Sequence, residues 1–571
     1  MRRRGLIAAL AATALALPAS AFAHAALLRT VPQASGTVNT APRQVALTYS
    51  EPVEPRFAIV SVTDAAGRQQ TAGPPRRSPT DADTLLVPLK HVGQGWYLVY
   101  WRAISVDGHP VRGAFTFAVG PNPGPAPQFV IPSTSETAAT PKLIVARWIV
   151  FLSVMASIGL LALRLAIARP VVRRVGGTSL RQVSIAFFMS SVVGLVAIPV
   201  YLLLATADFA LRSVLAIGAL LPLVHASAFG RGYLDLELCF ALFVAAGAVA
   251  IWVDRPGREQ RSLAELLAFA GAAAAAAATL LVPGASGHPS QTAPRGLALT
   301  LDWLHLASGS LWIGGLAGLL VLWRSLPVAT RVAGLVVAVP RFSNVALGSV
   351  LMLTGSGAVA AYLHLPTLAT LWQTSYGQAI LVKVGLLLVA IALAAVNLLR
   401  TKPSLAADGT VAAGAARLLR RLVAGEVAIV AAAIFVAAIL TSLAPPSKAL
   451  ASVGHASARV GPGPVRAVAQ KNGYKLVLRV SPNRAAVPND FTLGLTRDGK
   501  PVQGADVLIR VAMLDMEMGQ QECRLGETAP GVYTHAAPAL VMVGHWGLSF
   551  DVTPRGAKQP FDVLIVDHAT G

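Results

Sequence analysis

Four residues near the start of the chain have the types and spacing to hold an oxidised metal ion: His24, Glu51, Asp107 and His109. Residues 2–4 are Arg-Arg-Arg, an apolar run extends from Gly5 to Pro18, and Ala21-Phe22-Ala23 forms an A-x-A cleavage site. These are the three parts of a secretory signal peptide; the alternative is an uncleaved first helix. Cleavage after Ala23 would make His24 the first mature residue, and its α-amine and imidazole would then chelate one ion. Cu(II) favours tetragonal nitrogen and oxygen coordination, which suits that pair. Asp107 and His109 lie two apart in SVDGHPVRG, so in an extended strand they face one side and could close the site. Glu51, in TYSEPVE, is a further ligand or a hydrogen-bond acceptor behind one.

A second group lies in an apolar stretch, LDWLHLASGSLWIGGLAGLL. Polar residues inside a membrane span are costly and mark functional positions. Asp302 and His305 are three apart and share a helix face, which Gly309 and Trp312 continue. Ser308, Gly314, Gly315 and Gly318 would let neighbouring helices approach closely. His288 precedes this stretch, and His364, Lys383 and His225 are expected at the same end. The competing reading is hydrogen bonding between helices. A third group is Met513, Met516 and Met518 in VAMLDMEMGQQEC, followed by Met542 and His545 in LVMVGHW. Thioether sulfur suits Cu(I). A packed core strand fits less well, because these methionines alternate with Asp515 and Glu517.

The elements that must position these groups follow from composition and pattern. Of 571 residues, 54% are hydrophobic and 13% charged, and the mean hydropathy is +0.61. Soluble domains carry about a quarter charged residues, so the balance points to a polytopic membrane protein. The net charge of +21 would suit a nucleic-acid binder, but many arginines sit in short loops between apolar runs, the positive-inside pattern. Nucleic acid is therefore not an expected partner. Cys239 and Cys523 are too far apart in sequence and character to suggest a disulfide framework or a cysteine-based zinc site. Any metal is left to His, Met and carboxylates.

Eight spans are expected, at about 143–168, 184–206, 234–253, 263–283, 297–323, 342–364, 377–399 and 422–444, with 211–226 as an interfacial or re-entrant segment. Arg169, Arg173, Arg174 and Arg181 follow the first span; Arg255, Arg258 and Arg261 the third; Arg324, Arg331 and Arg341 the fifth; Arg400, Lys402, Arg417, Arg420 and Arg421 the seventh. These loops should face the cytoplasm, which puts both chain ends outside, in agreement with the signal peptide. Short alternating runs bounded by turn residues recur at 24–120 and 447–571, and each unit reads as a small β-sandwich.

The stretches HAALLRTVPQASGTV, LTYSEPVE and WRAISVDGHPVRGAFTFAVG resemble the copper-resistance family CopC. The resemblance implies Cu(II) held by His24, Asp107, His109 and in some members Glu51. The unit has no Met between His24 and Gly120, so it resembles the Cu(II)-only type. GHPSQTAPRGLALTLDWLHLASGSLWIGGL and TSYGQAILVKVGLLLVAIALAAVNLLR resemble CopD, its membrane partner family. From CopD only His288 and His305 carry over as membrane ligands. The Met cluster, PGVY and G-x-W resemble the YtkA-like (FixH-like) domain.

The expected organisation is thus a signal peptide at 1–23, a CopC-like periplasmic domain at 24–120, a linker at 121–141, a CopD-like helical bundle at 142–446 and a YtkA-like periplasmic domain at 447–571. The expected function is copper binding and transport across the bacterial inner membrane, as uptake and without catalysis. Expected partners are copper ions, membrane lipid and periplasmic copper chaperones. Three alternatives stand beside it: copper delivery to an assembling oxidase, an N-terminal-His copper monooxygenase, and haem-based electron transfer through His305.

Overall fold

The computed structural model describes residues 27–33, 36–49, 52–105, 110–124, 127, 140–290, 294–365, 367–368, 370–407, 409–443, 456–485, 487–514, 521–537, 539–540, 544–557 and 559–570. The signal segment, His24, Glu51, Asp107, His109, Met516, Met518 and Met542 lie outside the described residues, as do the side chains of His288 and His364.

The first domain is a β-sandwich. Its strands are β1 (Leu27–Val31), β2 (Thr37–Val38), β3 (Gln44–Tyr49), β4 (Ile59–Asp64), β5 (Arg76–Arg77), β6 (Thr84–Pro88), β7 (Gly95–Ile104) and β8 (Pro110–Val119). They form two sheets, ordered β1-β3-β6-β5 and β2-β8-β7-β4. Alternation drives the packing: Val45, Leu47 and Tyr49 of β3 point inward, and Val99, Trp101, Phe115 and Phe117 meet them from the other sheet. Tyr49 lies edge-on to Trp101, with ring centroids 5.5 Å apart.

The helical region contains eight helices long and apolar enough to cross a membrane among the described residues. In chain order the helices are α1 (Pro141–Arg174), α2 (Arg181–Phe209), the short α3 (Ile217–Ala226), α4 (Ala228–Val253), α5 (Leu263–Ser286), α6 (Arg295–Ser325), α7 (Arg331–His364), α8 (Ser375–Ser404) and α9 (Gly409–Leu440). At ten residues, α3 is too short to cross. Two helices run well beyond the expected spans. α7 begins at Arg331 rather than 342, and α9 begins at Gly409 and ends at Leu440 instead of running from 422 to 444. Arg331, Arg341, Arg417, Arg420 and Arg421 are therefore helical and not in loops. Hydropathy stops at the last apolar residue, whereas the helix continues while charged heads can reach polar surroundings along their aliphatic stems. Arg331 and Arg420 do so against Trp323, 5.0 Å and 5.7 Å from its ring centroid.

α1 and α6 form the centre of the bundle, with 61% and 67% of their apolar windows buried, against 6% for α8. Glycine permits that centre. A Cβ on Gly159 of α1 would lie 2.1 Å from the Ser310 carbonyl oxygen, and one on Gly314 of α6 would lie 2.5 Å from the Gly159 Cα. Small residues thus let the two backbones touch. At the far end of the bundle Arg164 pairs with Asp254 at 2.6 Å, and Arg169 pairs with Glu265 at 3.2 Å. All four side chains are buried. Glu265 also closes a capping box with Ser262 at the start of α5.

The last domain comprises β9 (Ala458–Arg459), β10 (Val465–Lys471), β11 (Tyr474–Ser481), β12 (Asn489–Arg497), β13 (Lys500–Pro501), β14 (Asp506–Met513), β15 (Gln521–Ala529), β16 (Val532–Ala537), β17 (Gly544–Thr553) and β18 (Phe561–Ala569). Its strands follow one continuous path, β10-β11-β12-β16-β15-β14-β17-β18-β9, with β13 beside β12. β15 pairs with β14 through its first half and with β16 through its second, so one sheet folds over a single core that includes Leu478, Phe491, Tyr533, Trp546 and Phe550.

Candidate metal sites

In the first domain the four expected ligands fall outside the described residues, but the strands that flank them do not. Leu27, three residues after His24, pairs with Tyr49, two residues before Glu51. Val53 bridges to Ser105, the last described residue before Asp107. Ile104 pairs with Pro110, which follows His109. The topology thus gathers all four flanks at one end of the sandwich.

That same end rests on the helical bundle. Phe57 and Ile104 share one buried cluster with Phe209 and Phe229. The Phe57 ring meets Phe209 edge-on, at 6.0 Å between centroids. The Arg102 guanidinium donates to the Phe209 carbonyl at 3.0 Å, and the backbone N–H of Ala228 at the start of α4 donates to the Glu54 carboxylate. A carboxylate at a helix N-terminus satisfies an orphan N–H and meets the positive end of the helix dipole. Neither Glu54, Phe57 nor Arg102 stands out in the sequence, because a loop resting on helix ends has no periodic signature.

In the bundle, His305 of α6 is half-buried and faces two other helices. Its Nδ1 is 3.2 Å from the Ser356 hydroxyl on α7, and the Lys383 ammonium on α8 is 3.4 Å from its Nε2. Gly357 makes room for the ring: a Cβ there would lie 3.1 Å from Cε1. Asp302, one turn away, turns instead toward α5, where a Cβ on Gly284 would lie 2.7 Å from its Oδ2. Among the described residues no three His, Cys, Asp or Glu side chains gather to hold a metal. The expected membrane group of His288, Asp302 and His305 includes a side chain, that of His288, outside the described residues. His225, on α3, is exposed.

In the last domain Met513 is 3% exposed and belongs to the core, in register with Trp546. For this one methionine the position is that of the packed core strand, since β14 turns the side chain inward. Cys523 is buried as well, and burial pushes its thiol up to about 11, away from the thiolate a metal would need. His545 is exposed on β17 and stacks on His568 of β18, a residue that no motif singles out.

A bundle with eight membrane-length helices among the described residues, carrying a β-domain at each end of its sequence, defines a multi-pass membrane protein. The family comparisons say which kind. The CopC domain matches residues 27–120, Copper resistance protein D matches 336–440 and the YtkA-like family matches 468–551. The chain belongs to the CopC family through its first domain, and continues with CopD and YtkA-like domains in that order. It is 26% identical to the copper transport protein CutJ of Bacillus subtilis over 93% of both chains. Its first domain is 37% identical to the protein YobA of Escherichia coli, over 19% of this chain and 90% of that one. The same region is 33% identical to copper resistance protein C of Escherichia coli, over 18% of this chain and 84% of that protein. Among solved structures, CopC from Methylosinus trichosporium OB3b is 27% identical, covers 18% of this chain and 99% of its own, and has a TM-score of 0.17. CutJ and copper resistance protein C are named for copper transport and copper resistance.

Proposed function

We propose that this protein captures Cu(II) at its first domain on the outer, periplasmic side of the membrane and passes copper to the helical bundle for uptake into the cell. The carrying observation is that the end of the sandwich flanking His24, Glu51, Asp107 and His109 is the end seated on α2 and α4. Covalent reach supports it. A residue spans at most ~3.6 Å, so Asp107 stays within about 7 Å of Ser105, and His24 within about 11 Å of Leu27. The described residues nearest Asp107 include Ile104, which shares a buried cluster with Phe209 of the bundle. Held there by the amine and imidazole of His24, the Asp107 carboxylate and the His109 imidazole, the ion has the nitrogen and oxygen donors that Cu(II) prefers.

Within the bundle His305 is the receiving residue. The alternating excess of cations at successive helix ends favours both β-domains outside, and the likeness to CutJ favours transport over catalysis. Cellular copper accumulation tests the reading in wild type, His24→Ala and His305→Ala. Uptake makes both variants accumulate less; export makes them accumulate more; no change in either removes transport. A second measurement tests the first site alone. One extra residue ahead of His24 should weaken Cu(II) binding, and unchanged affinity would exclude the α-amine as a ligand.

A further inference from the structure

We propose that the C-terminal domain carries a second copper site of a different kind, a cross-strand pair of imidazoles from His545 and His568 that takes Cu(II). The site does not depend on the N-terminal reading. His545 of β17 and His568 of β18 are direct partners in the antiparallel register. Directly opposed side chains have Cβ atoms about 4.5–5.5 Å apart and project from the same face. The two rings stack, with centroids 4.6 Å apart and planes 23° apart. At that separation small rotations of the side chains turn one nitrogen of each ring toward a shared ion.

The backbone beneath the pair is fixed. The His568 N–H donates to Val460 at 3.2 Å, and its carbonyl accepts from the Asn483 amide at 3.3 Å. The His545 carbonyl accepts from the Leu514 N–H at 2.8 Å. Only the rings need move, which lowers the cost of forming the site. His545 is exposed and His568 half-buried, so an ion reaches them from solvent.

A carboxylate lies behind the pair. Asp567 is fully buried; its Oδ1 accepts from the Asn483 amide at 3.0 Å, while its Oδ2 has no hydrogen-bond partner among the described residues. Burial raises the pKa of this carboxyl, which lies in register with Trp546 on the core face and adds no ligand to the pair. Two imidazoles with open positions suit copper, zinc and nickel, and Cu(II) stands highest in the divalent affinity order. The plain alternative is two neutral rings packed for their own sake.

The full-length chain, purified in detergent and stripped of metal, is titrated with Cu(II), and bound copper is read by equilibrium dialysis and electron paramagnetic resonance. His545→Asn and His568→Asn should each remove the same bound equivalent and its two-nitrogen signature, leaving the N-terminal equivalent in place. In a His24→Ala background the remaining equivalent should vanish when His568→Asn is added. A double His545→Phe, His568→Phe variant keeps the stacking and should lose this equivalent while keeping the N-terminal one. The proposal is overturned if the double Phe variant keeps that copper, if only one of the two histidines matters, or if Zn(II) displaces Cu(II) at equal concentration. Unaltered circular dichroism in the variants separates lost binding from lost folding.

Discussion

His305 sits between the Ser356 hydroxyl, 3.2 Å from Nδ1, and the Lys383 Nζ, 3.4 Å from Nε2. With Lys383 charged, its ammonium has donors and no acceptor, so Nε2 accepts and Nδ1 carries the proton toward Ser356. The Ser356 hydroxyl in turn donates to the Met352 carbonyl at 2.7 Å. The nitrogen able to ligate copper is therefore the one covered by the lysine. Replacing Lys383 by Ala should leave more copper bound in the bundle of the purified protein and lower cellular accumulation, because the ion is released less readily. Equal bound copper and equal accumulation would remove the lysine from the path. At this scale the sequence was partly legible. The cost of a polar group in lipid marks His305 and Lys383, but Ser356 looks like any small packing residue.

At the level of elements, the spans and β-runs were readable because hydropathy and alternation are local. The helix ends were not, since arginines that look like loop residues continue α7 and α9. The buried ions at the far ends of α1, α4 and α5 were equally hidden. Arg169 was read as a loop charge and Arg164 drew no notice, yet Arg164 neutralises Asp254 at 2.6 Å in a site where both are buried. Arg164→Met removes the nearer of two buried arginines on Asp254, with Arg169 remaining at 3.7 Å, and should destabilise the bundle by less than the about 3–5 kcal/mol of a buried charge left wholly unpaired. A lowered melting midpoint in detergent checks it, and pairing it with Asp254→Leu should restore part of the loss.

For the whole molecule, domain order and number were legible, because each domain has its own composition and motifs. The seating of the first domain on the bundle was not. Phe209→Ala alters only the bundle's side of that contact and removes an aromatic pair of the sort that contributes about 0.5–1.5 kcal/mol beyond area. Cu(II) affinity at the N-terminal site should be unchanged while copper accumulation falls, and a parallel loss of both would mean that the contact builds the site itself. The small buried share of α8 has a further bearing on the path. α8 meets the bundle chiefly along α9 and leaves most of its girth uncovered, so the lysine that shields His305 rides on the bundle's least enclosed member.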